Sequence, residues 1–505
     1  MKQNIFTTLL ALWKTITFLN LTKLTLFILV IELILGGGGR YLVFPYDISF
    51  RMTLLGLSFI LWFVCLLRKE VSFTKVRKEI IFFSLFMGVI VPVIGSIVGF
   101  VEGNKIVDII SDANGYIFYF FIIIFASVFH TKKDLQRLFY VFLGSIMTWG
   151  ISSLATFMLN SVHLIDVRHI GYILKTLGYG GIMGIMPNRV YRFFTEGSLF
   201  LQVGLAFVWG VYLFNNKFTF KNTIVFTMVS LLFLFVITLT YTRGFWLAVI
   251  LEIIVFMVLT SWRSKLLFSG ILVFLFFSSA LISHYVFQFS LVDYYKNRLL
   301  SSIPANLELT ETENTLDQNV KPEASSVNNQ SESQNINPAK PATDAKKVAQ
   351  TTTKGDETRS DEVKKADPYS AQYRVEMYKI LIQKIKARPI LGYGFGKNFE
   401  ELEGAYSYEL SYLDMITKFG LPAFSIWLIG LSYFLFLVFF RWLKDRKDQL
   451  NFLMLSFAIG IGSILLTGFF NPFLVSSTGI LSLVLFFCYC NFQSLEQDRK
   501  NFKIF

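Results

Sequence analysis

Along the chain, apolar residues fall in blocks of roughly 16 to 24 positions with few charges, separated by short polar connectors. A helix needs about 20 such residues to cross a hydrocarbon core about 30 Å thick. The pattern predicts twelve spans, at roughly 21–38, 52–67, 79–100, 112–129, 138–159, 195–214, 223–241, 245–262, 266–287, 410–440, 450–470 and 474–491. A soluble core of this size would show shorter, patterned segments. The expected fold is therefore an all-α polytopic membrane protein of about 12 transmembrane helices with one long extracytoplasmic loop.

The boundaries follow. Residues 1–287 form a nine-helix transmembrane bundle, 288–409 the loop, 410–491 three C-terminal helices and 492–505 a tail. Between Lys296 and Pro368 there is no Phe, Tyr or Trp, and Ser, Thr, Asn, Gln, Glu, Lys and Ala dominate. Such a stretch cannot bury enough apolar surface to offset its chain entropy, so 296–366 is expected to be a disordered tether. From 367 to 409 the character changes. Asp367 suits a helix N-cap and Pro368 a first helical position. The helix is expected to run to about Arg388, with Arg374, Tyr378, Leu381, Ile385 and Arg388 on one face, lying on the outer membrane surface. Gly392 to Gly396 then reads as a flexible turn, and an acidic, Tyr-rich stretch leads into the tenth span.

Composition sharpens this picture. The 505 residues are 54% hydrophobic and 16% charged, whereas soluble domains run nearer a quarter charged. The 56 Phe and 22 Tyr suit a lipid-facing surface. The net charge of +13 raises nucleic acid as a partner, but the cations sit in short loops and form no basic stripe, so none is expected. With the N-terminus in the cytoplasm, cytoplasmic segments and their flanks carry 22 Lys and Arg, against 8 in the short outer loops. This positive-inside bias predicts that both termini are cytoplasmic. Cys65, Cys488 and Cys490 show no metal or disulfide spacing and read as buried small hydrophobes.

No Walker loop, HExxH or dinucleotide fingerprint is present, and no cofactor or metal is expected. Ionisable groups at the outer face stand out instead. Arg243 occupies the very short turn Thr240-Tyr241-Thr242-Arg243-Gly244. Two readings are open with equal weight: a guanidinium that grips phosphate in bidentate fashion, or one that snorkels to lipid headgroups. His169, Arg189 and Arg192, with Arg168, lie in the preceding outer loop and with Arg243 and Arg374 suit a pyrophosphate; a solvated loop is the plain alternative. Glu409 stands at the mouth of the tenth span. Asp414 and Lys418 follow at i,i+4 spacing and pair with each other on the simplest reading. Glu32 and Glu252, as ionisable groups within spans, are functional candidates without named partners. His130 and His284 read as packed.

Three segments resemble the O-antigen ligase/polymerase superfamily of bacterial envelope enzymes. They are Thr242-Arg243-Gly244, similar to that family's "TRG" turn; RVEMYKILIQKIKARPILGYGFG from Arg374 to Gly396, similar to an Arg, a helix and "P-x-x-G-x-G"; and ELSYLDMITKFGLP from Glu409 to Pro422, similar to its "H-N-x-Y-L … G-L-x-G". The resemblance implies a GT-C-like bundle in the bacterial cytoplasmic membrane. It also implies a metal-independent, inverting glycosyl transfer from an undecaprenyl-diphosphate-linked glycan, with Arg243 and Arg374 on the diphosphate. Membrane lipid surrounds such an enzyme, and flippase and chain-length regulator proteins are expected partners. Glu409 stands where many members carry His, and Met377 and Tyr378 where many carry Trp. The missing His points to a polymerase that joins repeat units, with Glu409 as base if partial burial raises its pKa. A ligase of the same superfamily and a lipid-linked glycan transporter are the alternatives.

Overall fold

The computed structural model describes residues 17–36, 43–44, 48–161, 196–214, 219–240, 242–285, 373–402, 410–446 and 448–493. Residues 1–290 and 374–505 form one compact unit and 291–373 a second; the first is described below. The expected tether and the Asp367–Pro368 helix start lie outside the described residues, as do His169, Arg189, Arg192 and Glu409.

Helix α1 is Phe18–Leu35 and α2 is Phe50–Leu67. Between them, β1 (Val43–Phe44) pairs antiparallel with β2 (Ile48–Ser49). Then come α3 (Lys78–Val101), α4 (Ile106–Val128), α5 (Lys132–Ser161), α6 (Leu199–Phe214), α7 (Phe220–Leu239), α8 (Arg243–Leu259) and α9 (Trp262–Tyr285). Helix α10 covers residues 373–387. Last are α11 (Ser411–Lys444), α12 (Gln449–Thr467) and α13 (Ser477–Gln493). A helix thus occupies each of the twelve expected positions, and the protein is an all-α polytopic membrane protein. Among the described residues eight of them, α1–α5, α7, α11 and α12, are long and apolar enough to cross a membrane, and shorter apolar helices lie at Leu199–Leu213, Ser264–Ser279 and Ser477–Phe492.

In hydrocarbon each backbone polar group needs an internal partner, which makes helix the default. Helix starts are closed by side chains: Thr17, Ser49, Thr219 and Asp448 accept from the backbone N–H of Asn20, Met52, Asn222 and Leu450. Departures from regular helix are compensated. Helix α3 widens into a π-turn at Phe86–Ile90, just before Pro92, which has no N–H for the Gly88 carbonyl. Gly88 lies against the 3₁₀ turn Phe118–Phe120 of α4, where an added Cβ would stand 2.3 Å from the Phe120 nitrogen. The Ser84 hydroxyl donates to the Tyr119 carbonyl at 2.7 Å, which ties the two irregular stretches together.

The core sits where α6, α12 and α13 are buried nearly all round. Small residues let these helices approach: a Cβ on Gly210 would meet Ser456 Oγ at 1.7 Å, and one on Gly460 the Val203 Cα at 3.0 Å. One end of the bundle is tied by polar groups of α1, α4, α5 and α13. Lys23 Nζ is 2.8 Å from Asp134 Oδ2, Tyr489 donates to the Leu135 carbonyl, and Asn491 donates to the carbonyls of Lys75 and Ala126. Cys65, Cys488 and Cys490 are buried and free.

Candidate active site

The opposite end is organised by α11. At Gly420 the backbone turns to φ 81°, ψ 169°, and the helix breaks before Pro422. Two carbonyls are released by this break. Lys418 O has no partner four residues on, because Pro422 carries no N–H. Thr417 O loses Leu421, whose N–H donates instead to Pro389 O at 2.8 Å. The chain after α10 fills both: Tyr393 N donates to Thr417 O (2.8 Å) and Gly394 N to Lys418 O (3.0 Å).

The same turn is held from the α3 side. Phe395 N donates to Gly95 O at 2.9 Å, and Asn104 Nδ2 donates to the carbonyls of Phe395 (2.8 Å) and Tyr393 (3.3 Å). The Phe395 ring is fully buried and stacks on Tyr116 with centroids 5.1 Å apart. Gly392, Gly394 and Gly396 all have positive φ. The Gly-rich turn expected to be flexible is therefore a docked element whose four amides Tyr393 to Gly396 all have acceptors. The last acceptor is Asp112 Oδ2, 2.7 Å from Gly396 N.

Asp112 opens into a buried charge cluster. Its Oδ1 accepts from Lys418 Nζ at 2.8 Å, and the same ammonium is 3.0 Å from Asp414 Oδ1. The expected Asp414–Lys418 pair exists, then, but it does more than neutralise itself. Two carboxylates and one ammonium share a site almost closed to solvent. A buried ammonium needs such partners.

Helix α10 enters this turn with Met377, Leu381 and Ile385 buried. Burial follows i, i+4, i+8 from Met377, and Tyr378 and Arg388 of the expected membrane-facing face are exposed. Exposed pairs brace the outside. Arg388 NH1 hydrogen-bonds Glu102 and its guanidinium lies 4.8 Å above the Tyr393 ring, while Lys384 Nζ is 2.6 Å from Glu401. The Lys384 hydrogen bond holds the Glu401 carboxyl below the usual carboxylate range.

Arg243 is half-buried at the first position of α8. The next residue, Gly244, packs on Asn471, Phe470 and Thr467. The backbone carbonyl of Asn471 in turn accepts from Ser411 Oγ at 2.6 Å. The turn bearing Arg243 and the start of α11, two residues beyond Glu409, thus meet at Asn471. Gln202 completes this corner, donating to Phe245 O and accepting from Thr467 Oγ1. Arg374, also half-buried, belongs to the first turn of α10 and is tied to the corner along the chain, through the docked turn and α11. Glu32 pairs with Arg51 at 2.8 Å, and Arg51 also donates to Ser477. Glu252 is fully buried on α8, one turn beyond Ala248, whose carbonyl accepts from Ser463 Oγ at 3.5 Å.

Asp112, Asn104 and the Gly95/Gly99 pair were not singled out in the sequence. Two signals pointed to them: an acidic residue at the edge of an apolar span, and G-x-x-x-G spacing within one.

Residues 228–428 match a protein-family model described as O-antigen ligase. This segment holds Arg243, Arg374, the docked turn and the break at Gly420. Over 118 residues, 23% of this chain, the sequence is 35% identical to an O-antigen polymerase of Shigella flexneri. The match spans 29% of that relative's length. Over this segment, which holds the clamped turn, the chain is thus similar to the O-antigen ligase/polymerase superfamily.

Proposed function

We propose that the protein polymerises glycan repeat units carried on undecaprenyl diphosphate, at the outer face of the cytoplasmic membrane. The observation that carries this reading is the meeting of the Arg243 turn with the start of α11 at Asn471, beside the docked turn. This brings the turn that bears a cation to the start of α11. In the proposed step the acceptor hydroxyl attacks the anomeric carbon of the donor glycan. Its proton passes to Glu409, the new glycosidic C–O bond forms, and the C–O bond to diphosphate breaks with its electron pair on the departing phosphate. Arg243 and Arg374 stabilise that charge, with His169, Arg189 and Arg192 around it. No metal enters the scheme. The orientation with both termini in the cytoplasm places the site outside, beyond reach of nucleotides, where a lipid-linked donor is available. A flippase would supply the units and a chain-length regulator would set when extension stops.

The test is the size profile of surface and lipid-linked glycan in a strain lacking this chain, with and without complementation. Single repeat units and no polymer are expected. Full-length polymer stranded on its lipid carrier would favour the ligase instead. Repeat units trapped on the inner face would make the protein a transporter.

A further inference from the structure

Lys418 grips the turn that follows the helix carrying Arg374. Asp112 uses one oxygen for the Gly396 amide and the other for Lys418 Nζ. Lys418 also supplies, through its own carbonyl, the acceptor for Gly394 N. The docked turn is thus gripped by Lys418 twice, once by backbone and once through Asp112. Asp112 also owes its charge balance to that ammonium: without it, two carboxylates would face each other in a site nearly closed to water. Like charges so placed repel each other, and an Asp112 carboxylate turned away from Asp414 no longer meets Gly396 N. Helix α10 runs directly into the turn, its far end bearing Arg374 about 20 Å away at 1.5 Å per residue. The turn and the buried face Met377, Leu381 and Ile385 together hold α10, so loosening the turn removes one of the two holds on the helix that carries Arg374.

Resting on the reading under "Proposed function", we propose that Lys418, acting through Asp112 and Asp414, is a positioning residue for glycan transfer. It sets the seat of α10 on the bundle and so the place of Arg374, while touching no substrate itself.

The experiment uses the full chain in a strain that makes its lipid-linked repeat units, with polymer yield normalised to inserted protein. Backbone amide exchange is followed in parallel on the purified chain in detergent. Lys418→Met is expected to lower polymer by about tenfold or more and to speed exchange at Tyr393 to Gly396 by a similar factor. The triple variant Lys418→Met/Asp112→Asn/Asp414→Asn removes all three charges and keeps an amide oxygen for Gly396. Replacing a buried ion cluster by neutral groups is often tolerated where breaking it is not, so the triple variant is expected to regain both protection and polymer. Lys418→Met should also cost less in an Arg374→Lys background than in the wild type, because both changes act on one group.

Wild-type polymer from Lys418→Met, or a loss undiminished in the Arg374→Lys background, overturns the proposal. If Lys418→Met does not insert, the triple variant carries the test: restored protection without restored polymer overturns it, and restoration of both upholds it. Normal polymer from Arg374→Ala would remove the diphosphate clamp itself and this proposal with it, whereas failure at Lys418 alone leaves the clamp standing.

Discussion

Gly394 lies on the backbone of Gly99, so close that a Cβ added to Gly394 would stand 2.1 Å from the Gly99 nitrogen. The contact joins the turn after α10 to the C-terminal end of α3. It works in both directions, since a Cβ on Gly99 would stand 2.3 Å from the Phe395 carbonyl oxygen.

Gly394→Ala is therefore expected to undock the turn. The left-handed conformation at φ 75° costs an L residue about 1–2 kcal/mol by itself, and the clash adds to it because backbone cannot step aside. The variant should insert into the membrane and keep its helical circular dichroism, yet lose polymer and show rapid exchange at Tyr393 to Gly396. Slow exchange in Gly394→Ala would mean that the two backbones are not in contact.

Pro422 makes the opposite kind of prediction. Its missing N–H frees the Lys418 carbonyl for Gly394. Pro422→Ala supplies an N–H that competes for that carbonyl and favours an unbroken helix. Gly420 would still resist, because its φ of 81° places it against the Ile390 carbonyl. Polymer yield is expected to fall severalfold in Pro422→Ala and to be lost in Pro422→Ala/Gly420→Ala. Equal yields from both would show that the break in α11 does not depend on these two residues.

How far the sequence reached is clear from this region. Span positions were legible because little besides a membrane helix calls for an apolar run of that length. Arg374-to-Gly396 and Glu409-to-Pro422 were also legible, as separate motifs. What they do to each other was not. The glycines of one segment read as flexible because positive φ looks alike in a loose and in a clamped turn. The fit appears only when Thr417 and Lys418 are seen to lack their helical partners. Asp112 escaped notice because its meaning depends on Lys418, 306 residues away.

The pair Glu32–Arg51 ties α1 to α2 and, through Ser477, to α13. Arg51→Met leaves a largely buried carboxylate beside an apolar side chain. Breaking a buried pair from one side costs about 3–5 kcal/mol, so the thermal midpoint in detergent should fall clearly. Glu32→Gln/Arg51→Met removes both charges and should recover most of it. A double variant no better than Arg51→Met would show that the arginine acts through other contacts.

His130 gives the acid dependence. Burial, helped by the Lys75 ammonium, pulls this imidazole below its ordinary range. The ammonium 3.1 Å from Nε2 can only donate, and the Ser127 carbonyl 3.1 Å from Nδ1 can only accept. The ring is thus neutral with its proton on Nδ1. A depressed folded pKa means that the contribution is present above the unfolded value of about 6.5 and is lost as pH falls below it. The thermal midpoint should drop between pH 7.5 and 5.5, and drop less in His130→Asn. Equal drops in the two proteins would assign the acid sensitivity elsewhere.

Arg243 separates charge from shape. A diphosphate held by a guanidinium uses two parallel N–H bonds, which an ammonium cannot reproduce. A snorkelling arginine needs only charge and reach, which lysine has. Arg243→Lys thus distinguishes the two readings where Arg243→Ala alone does not. On the diphosphate reading Arg243→Ala loses polymer by about 10²–10³, the scale for removing one preorganised donor to developing charge. Arg243→Lys should lose most of that too, while both variants insert at wild-type levels. Polymer of normal length and yield from Arg243→Lys would assign the guanidinium to the lipid headgroups and leave the leaving-group charge to other cations.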